Sequence, residues 1–163
     1  LFFKELGVLR KNEDFKNGGE IMNELKEKAK ENAKEKAEGF FKDFGDTFYT
    51  PAHKAIFLLG VLAQKLLDIQ YHERRATPFR KNLKGLKMKE DDFKSLLAKI
   101  QNKLEEYKKN YYRSLETLIS DYFVEAGRNW RFSTDELNFY FVLGMNLKDE
   151  IDKILSLTKE EEV

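Results

Sequence analysis

The sequence predicts an all-α protein, a single compact bundle of five or six helices formed by residues 1–163 as one domain. Three observations predict it. Two prolines and nine glycines in 163 residues are too few turn formers for a many-stranded β fold. Charged residues at 36% and hydrophobic residues at 41% suit helices with one wet face around an ordinary core. Apolar positions recur every three or four residues, the period of a helix and not of a strand.

Each element follows from local signals. Leu1–Arg10 is apolar enough for a short helix or a packed arm, and Lys11–Gly19, with its Asn, Asp and Gly pair, reads as a loop. A helix is expected from about Glu20 to Phe44, on a stripe of Met22, Leu25, Ala29, Ala33, Ala37, Phe40 and Phe44. Its middle is only alanine, so it must lie close to a neighbour or stay partly exposed. The alternating Lys and Glu around it form a solvated face, with pairs such as Glu24–Lys28 adding a few tenths of a kcal/mol at most. Gly45 and Asp46 end this helix. Thr50 can cap the next one, and Pro51 suits its first position because the missing N–H has no partner there. From Pro51 to Gln70 the chain is apolar on nearly every side, which places this helix at the centre of the bundle. Ala52, Gly60 and Ala63 are low points where another helix can approach.

Pro78 opens a short helix, Phe79–Lys84, with Gly85 as its stop. Then Phe93, Leu97, Ile100, Leu104, Tyr107, Tyr111, Leu115, Leu118 and Tyr122 stay in phase, which predicts one long helix from Glu90 to Ala126, weakest at KKNYYR. Asp91 or Asp92 can cap its start. Gly127 ends it, and GRNWRF forms a turn around Trp130, whose ring is expected to plug a core edge in preference to stacking on a base. Ser133 and Glu136 have capping-box spacing, opening a helix Leu137–Leu143 that Gly144 stops. A last helix, Lys148–Leu155, leads into an acidic tail, residues 156–163. The chain starts at Leu1, as expected of a piece of a longer polypeptide or of one that lacks its first residues.

Composition also narrows function. With no cysteine, neither disulfides nor thiolate metal sites are available, which fits a reducing, cytoplasmic setting. Uncharged runs such as Ala55–Gln64 are too short to span a bilayer, so no membrane partner is expected. His53 and His72 sit at opposite ends of the apolar helix, too far apart to share a metal, and HERR lacks the second histidine of the zinc motif HExxH. The acidic pairs Asp91–Asp92, Glu105–Glu106 and Asp135–Glu136 are adjacent, so on a helix they diverge by roughly a hundred degrees. No glycine-rich phosphate loop or nucleophile elbow is present. The expectation is a non-enzyme with no catalytic residue, no metal and no cofactor.

Charge distribution carries the functional signal. The whole chain has a net charge of only +1, yet residues 71–89 hold seven Lys/Arg against a single acid. Arg74, Arg75, Arg80, Lys81 and Lys84 are the candidates for contact with nucleic-acid phosphates, where several cations release several counterions at once. Such contacts position a protein without reading sequence. Arg128 and Arg131 are second choices, and Lys108, Lys109 and Arg113 could extend the surface if the bundle brings those ends together.

With FYTPAHKAIFLLGVLAQKLLDIQ, TPFRKNLKGLKM, LLAKIQNKLEEY and STDELNFYFVLGMNL in this order, residues 48–155 resemble the C-terminal helical region of the large subunit of type I-B CRISPR Cascade complexes. In that family the same region is also produced as a separate small subunit. Residues 1–47 carry no matching motif. The resemblance implies a non-catalytic helical bundle in an RNA-guided surveillance complex, touching backbone and large subunits, other copies of itself, the guide RNA–target DNA duplex and the displaced single strand. There it would help hold the separated strands of the R-loop, an exchange so nearly balanced that a few backbone contacts tip it. A reading from another class stands beside it: a purely structural helical adaptor that docks protein subunits while its lysines stay in water.

Overall fold

The computed structural model describes residues 18–73, 79–109 and 112–155. The expected arm Leu1–Arg10 and the acidic tail 156–163 lie outside them. Among the described residues there are six α-helices and one 3-10 segment, with no strand. The all-α class holds, and the count of five or six helices was too low.

The first helix, α1, runs Gly18–Asp43, so the glycine pair expected in a loop is already helical. Only the second half of its stripe is buried: Ala37, Phe40 and Phe41 pack inward, while Met22 and Phe44 remain exposed. Helix α2, Pro51–His72, begins as the sequence requires, Thr50 accepting the His53 N–H with Pro51 behind it. From Ala55 to Ala63 every residue is buried. This is the central rod, and the other helices wrap it.

Helix α3 is Glu90–Glu106 and α4 is Arg113–Ala126. The single helix expected over Glu90–Ala126 is therefore two. After Tyr107 the chain turns at Lys108 (φ 57°), whose N–H bonds the Glu105 carbonyl at 2.9 Å while the Lys109 N–H bonds that of Leu104 at 2.8 Å. This is the hydrogen-bond pattern of a Schellman stop, built here on a lysine in place of glycine. The apolar spacing ran on unbroken because both halves bury their stripes, Phe93–Leu104 and Leu115–Tyr122, on the bundle core that α2 centres.

Helix α5, Thr134–Asn146, lies against α2 and runs in the same sense, with His53 beside Glu136 and Phe57 beside Gly144. The expected stop at Gly144 is wrong: the helix continues to Asn146, and Gly144 marks a crossing. A Cβ on Gly144 would overlap the carbonyl oxygen of Phe57, and one on Gly60 would overlap that of Phe141. The two helices thus touch backbone to backbone, where only glycine fits. Helix α6, Lys148–Leu155, closes the described chain by burying Ile151 and Leu155. It also places Asp152 against Lys65, a lysine 5% exposed whose ammonium lies 4.8 Å from the Tyr112 ring. Glu38 ties three helices, taking the Tyr122 hydroxyl at 2.7 Å and the Lys54 ammonium at 3.0 Å. Burial works to raise its pKa, but these two donors hold it below the usual carboxylate range.

Candidate nucleic-acid interface

The basic connection between α2 and α3 is fixed from below. Phe79, Leu83 and Met88 are buried at 1%, 4% and 0% exposure. The short helix expected over Phe79–Lys84 is present as a 3-10 segment, Phe79–Leu86, kinked where Lys84 and Gly85 take left-handed backbone angles. A buried side chain on α5 secures the run into α3. Asn138 accepts the Met88 N–H at 3.1 Å and donates to the carbonyls of Met88 at 2.8 Å and Thr134 at 2.7 Å. With these apolar and amide anchors turned inward, Arg80, Lys81 and Lys87 are left exposed.

Of the expected phosphate contacts, Arg74 and Arg75 lie outside the described residues. Arg80 and Lys81 face solvent side by side. Lys84 is used differently: its ammonium sits 2.5 Å from Asp92, whose other oxygen takes the Lys89 N–H at 2.9 Å. The lysine, followed by that backbone bond, holds the Asp92 carboxyl below its ordinary range. So Asp92, and not Asp91, closes the start of α3.

The connection also has a length. Lys89 sits at the N-terminus of α3, whereas Glu73 pairs at 3.0 Å with Lys109, beyond its C-terminus. The two described ends of the connection, Glu73 and Lys89, therefore stand at opposite ends of a helix of 17 residues, about 25 Å apart at 1.5 Å per residue. Arg128 and Arg131 join it at the Lys89 end. Glu90 draws their turn onto α3 by accepting the N–H groups of Trp130 at 2.7 Å and Asn129 at 3.2 Å, and both arginines are exposed. Lys108, Lys109 and Arg113 lie at the opposite end, where Lys109 and Arg113 line a cleft of about 430 Å³ together with Glu105 and Glu116. The two groups of cations lie at opposite ends of α3 and do not meet. Trp130 packs inside: its ring lies 5.7 Å from Phe123 at an interplanar angle of 9°, with Lys94 4.7 Å above it.

The family described as CRISPR-associated protein TM1802 (cas_TM1802) C-terminal domain matches residues 1–159. The chain belongs to this family. No curated protein and no solved structure matches it. The resemblance to a CRISPR-associated family is thereby borne out, and it reaches into residues 1–47, where no motif was matched.

Elsewhere in this TM1802 C-terminal domain, His53 is a structural residue. It is 0% exposed, within 4.4–4.6 Å of the rings of Phe132, Tyr140 and Tyr49. Its Nε2 donates to Glu136 at 3.0 Å, and its Nδ1 meets the Thr50 hydroxyl. The Ser133–Glu136 capping box is only half made as a result: Ser133 takes the Glu136 N–H, but the Glu136 carboxylate turns to His53 and Tyr49. Burial among these rings lowers the His53 pKa, although Glu136 pulls it upward. A histidine whose folded pKa is depressed is held neutral, so its contribution is complete above the unfolded value of about 6.5 and is lost as pH falls through the folded pKa. Urea midpoints are expected to fall from pH 7.5 to pH 5, and the fall is expected to shrink in His53→Gln. An equal fall in both proteins overturns the assignment. No helix among the described residues is long and apolar enough to cross a membrane.

Asn138 and Asp92 were beyond sequence reasoning as site residues. Both act by holding the basic stretch, and their only signal was an amide inside an otherwise aromatic helix and a carboxylate three residues after Lys89.

Proposed function

We propose that this domain is a non-catalytic helical component of an RNA-guided CRISPR effector of the type I-B Cascade kind. It acts in the cytoplasm, as a separate small subunit or as the C-terminal region of the large subunit. It contacts nucleic-acid backbone without reading sequence and steadies the R-loop. Its partners are the backbone and large subunits, the guide RNA–target DNA duplex with its displaced strand, and further copies of itself.

One observation carries the reading. Arg80, Lys81 and Lys87 project from a connection whose Phe79, Leu83 and Met88 are buried, and no ion pair or hydrogen bond engages Arg80 or Lys81 among the described residues. Exposed charges on a preordered support suit an anionic partner, since little ordering remains when phosphates arrive. The non-catalytic part is supported by His53 and Glu136, which bond each other, and by Asp92, which Lys84 and the Lys89 N–H engage.

Binding of single-stranded DNA should weaken linearly in log–log coordinates as salt rises. The double variant Arg80→Ala/Lys81→Ala is expected to make that slope shallower by about 1.4, near 0.7 per lost phosphate contact on a single strand. An unchanged slope overturns the reading. The adaptor reading is favoured by a different surface. Phe44, Tyr49 and Phe139 are 40–60% exposed, and ring contacts through Phe48, His53 and Tyr140 join them. Exposed Asp43, Asp46 and Asp135 stand near them in sequence. Acidic and aromatic, that end suits protein better than phosphate, and the two roles are compatible in one subunit.

A further inference from the structure

Beside Arg80 the basic connection encloses a hollow of about 260 Å³, lined by Arg80, Leu83, Gly85, Leu86 and Met145. It is smaller than the sites of about 300–1,000 Å³ that take drug-sized ligands, and so suits one flat ring system. Its wall is built at a cost. Lys84, Gly85 and Leu86 take φ of 49°, 63° and 63° in succession, a left-handed run that only the glycine adopts freely. That run leaves Leu86 41% exposed at the rim. A strained backbone that presents an apolar side chain to solvent is the kind of feature retained for a ligand. The connection itself carries charge of one sign, because residues 79–89 hold five cations and no acid, and of these Lys84 is taken by Asp92.

We propose that this hollow receives a single unstacked nucleobase, from a strand whose phosphates lie on Arg80 and Lys81. The base would sit on Leu83, Leu86 and Met145, with the Arg80 guanidinium at its edge or face. Such contacts tolerate any base, since every base has an apolar face. They would restrict the strip to single strands, in which a base is free to turn out. The inference rests on the backbone-contact reading above and deepens it.

The test compares a thymidine oligonucleotide with an abasic strand of equal length, so that phosphate number is constant while bases are removed. The chain is expected to bind the thymidine strand about tenfold more tightly. Leu86→Asn, which keeps a residue tolerant of left-handed backbone, is expected to abolish that preference without altering the salt slope. Leu86→Met, still apolar, is expected to retain it. Equal binding of the two strands, or a preference that survives Leu86→Asn, overturns the inference while Arg80→Ala/Lys81→Ala still reports on the backbone reading. Failure to bind either strand overturns both.

Discussion

Replacing Gly144 by alanine is expected to lower the unfolding free energy by about 3 kcal/mol or more, at the upper end of what overpacking costs. The added methyl would overlap the carbonyl oxygen of Phe57, which belongs to the backbone of a helix buried along most of its length. A side chain could turn aside, but a carbonyl inside a helix moves only with the helix. Because Gly60 stands in the same relation to Phe141, the crossing cannot relax on its other side. The comparison variant is Gly39→Ala on α1, where nothing lies within reach of a new Cβ. That change is expected to stabilise by about 0.5–1 kcal/mol, alanine being the better helix former. Urea unfolding monitored by circular dichroism measures both as shifts of midpoint at constant slope. A loss below about 1 kcal/mol for Gly144→Ala would mean that the helices part easily, contrary to the contact described.

Asn138→Ala is the second large effect, with an expected cost of about 3 kcal/mol. The side chain makes three hydrogen bonds, two of them to the backbone of Met88, a residue 0% exposed. Each neutral bond contributes about 1 kcal/mol net, and a buried N–H or C=O left unmatched costs about 1–3 kcal/mol. Asn138→Asp is expected to do as badly, because a carboxylate presents no donor to the Met88 and Thr134 carbonyls. The consequence reaches the surface. Without the amide the connection is held by Phe79 and Leu83 but loses its hold at Met88, so Arg80 and Lys81 must be ordered at the moment of binding. Weaker DNA binding with an unchanged salt slope is the expected signature, since the phosphate contacts still form at greater cost. A changed slope would mean instead that Asn138 substitution removes contacts.

How much of this was legible varied with the physics involved. The central rod could be read from Pro51–Gln70 because apolar residues on every side have one explanation, burial on every side. Thr50 and Pro51 marked its start because capping is local. The division of α3 from α4 was marked only by KKNYYR, the patch least favourable to a helix and the place for a break near Asn110, since Lys108 is a poor residue for a left-handed stop and the periodicity runs through it. Gly144 looked like a stop because a glycine's sequence neighbours do not reveal whether it ends a helix or admits another. The basic strip was legible as composition. Its division into exposed Arg80 and Lys81 against a committed Lys84 depends on Asp92, and its attachment on Asn138, fifty residues from Met88 in sequence. Tertiary pairings of that kind leave no mark at short range.

The crossing of α2 and α5 also has a mechanical meaning. Where their peptide groups meet, at Gly60 and Gly144, no side chain lies between the two helices to act as a cushion, so a push on one is delivered there to the other without slack. The basic connection is fastened to α5, and the aromatic end is built on α2, α5 and the turn that joins α1 to α2. Whatever grips one of these surfaces therefore sets the angle at which the other is presented, as two handles fixed to a single axle.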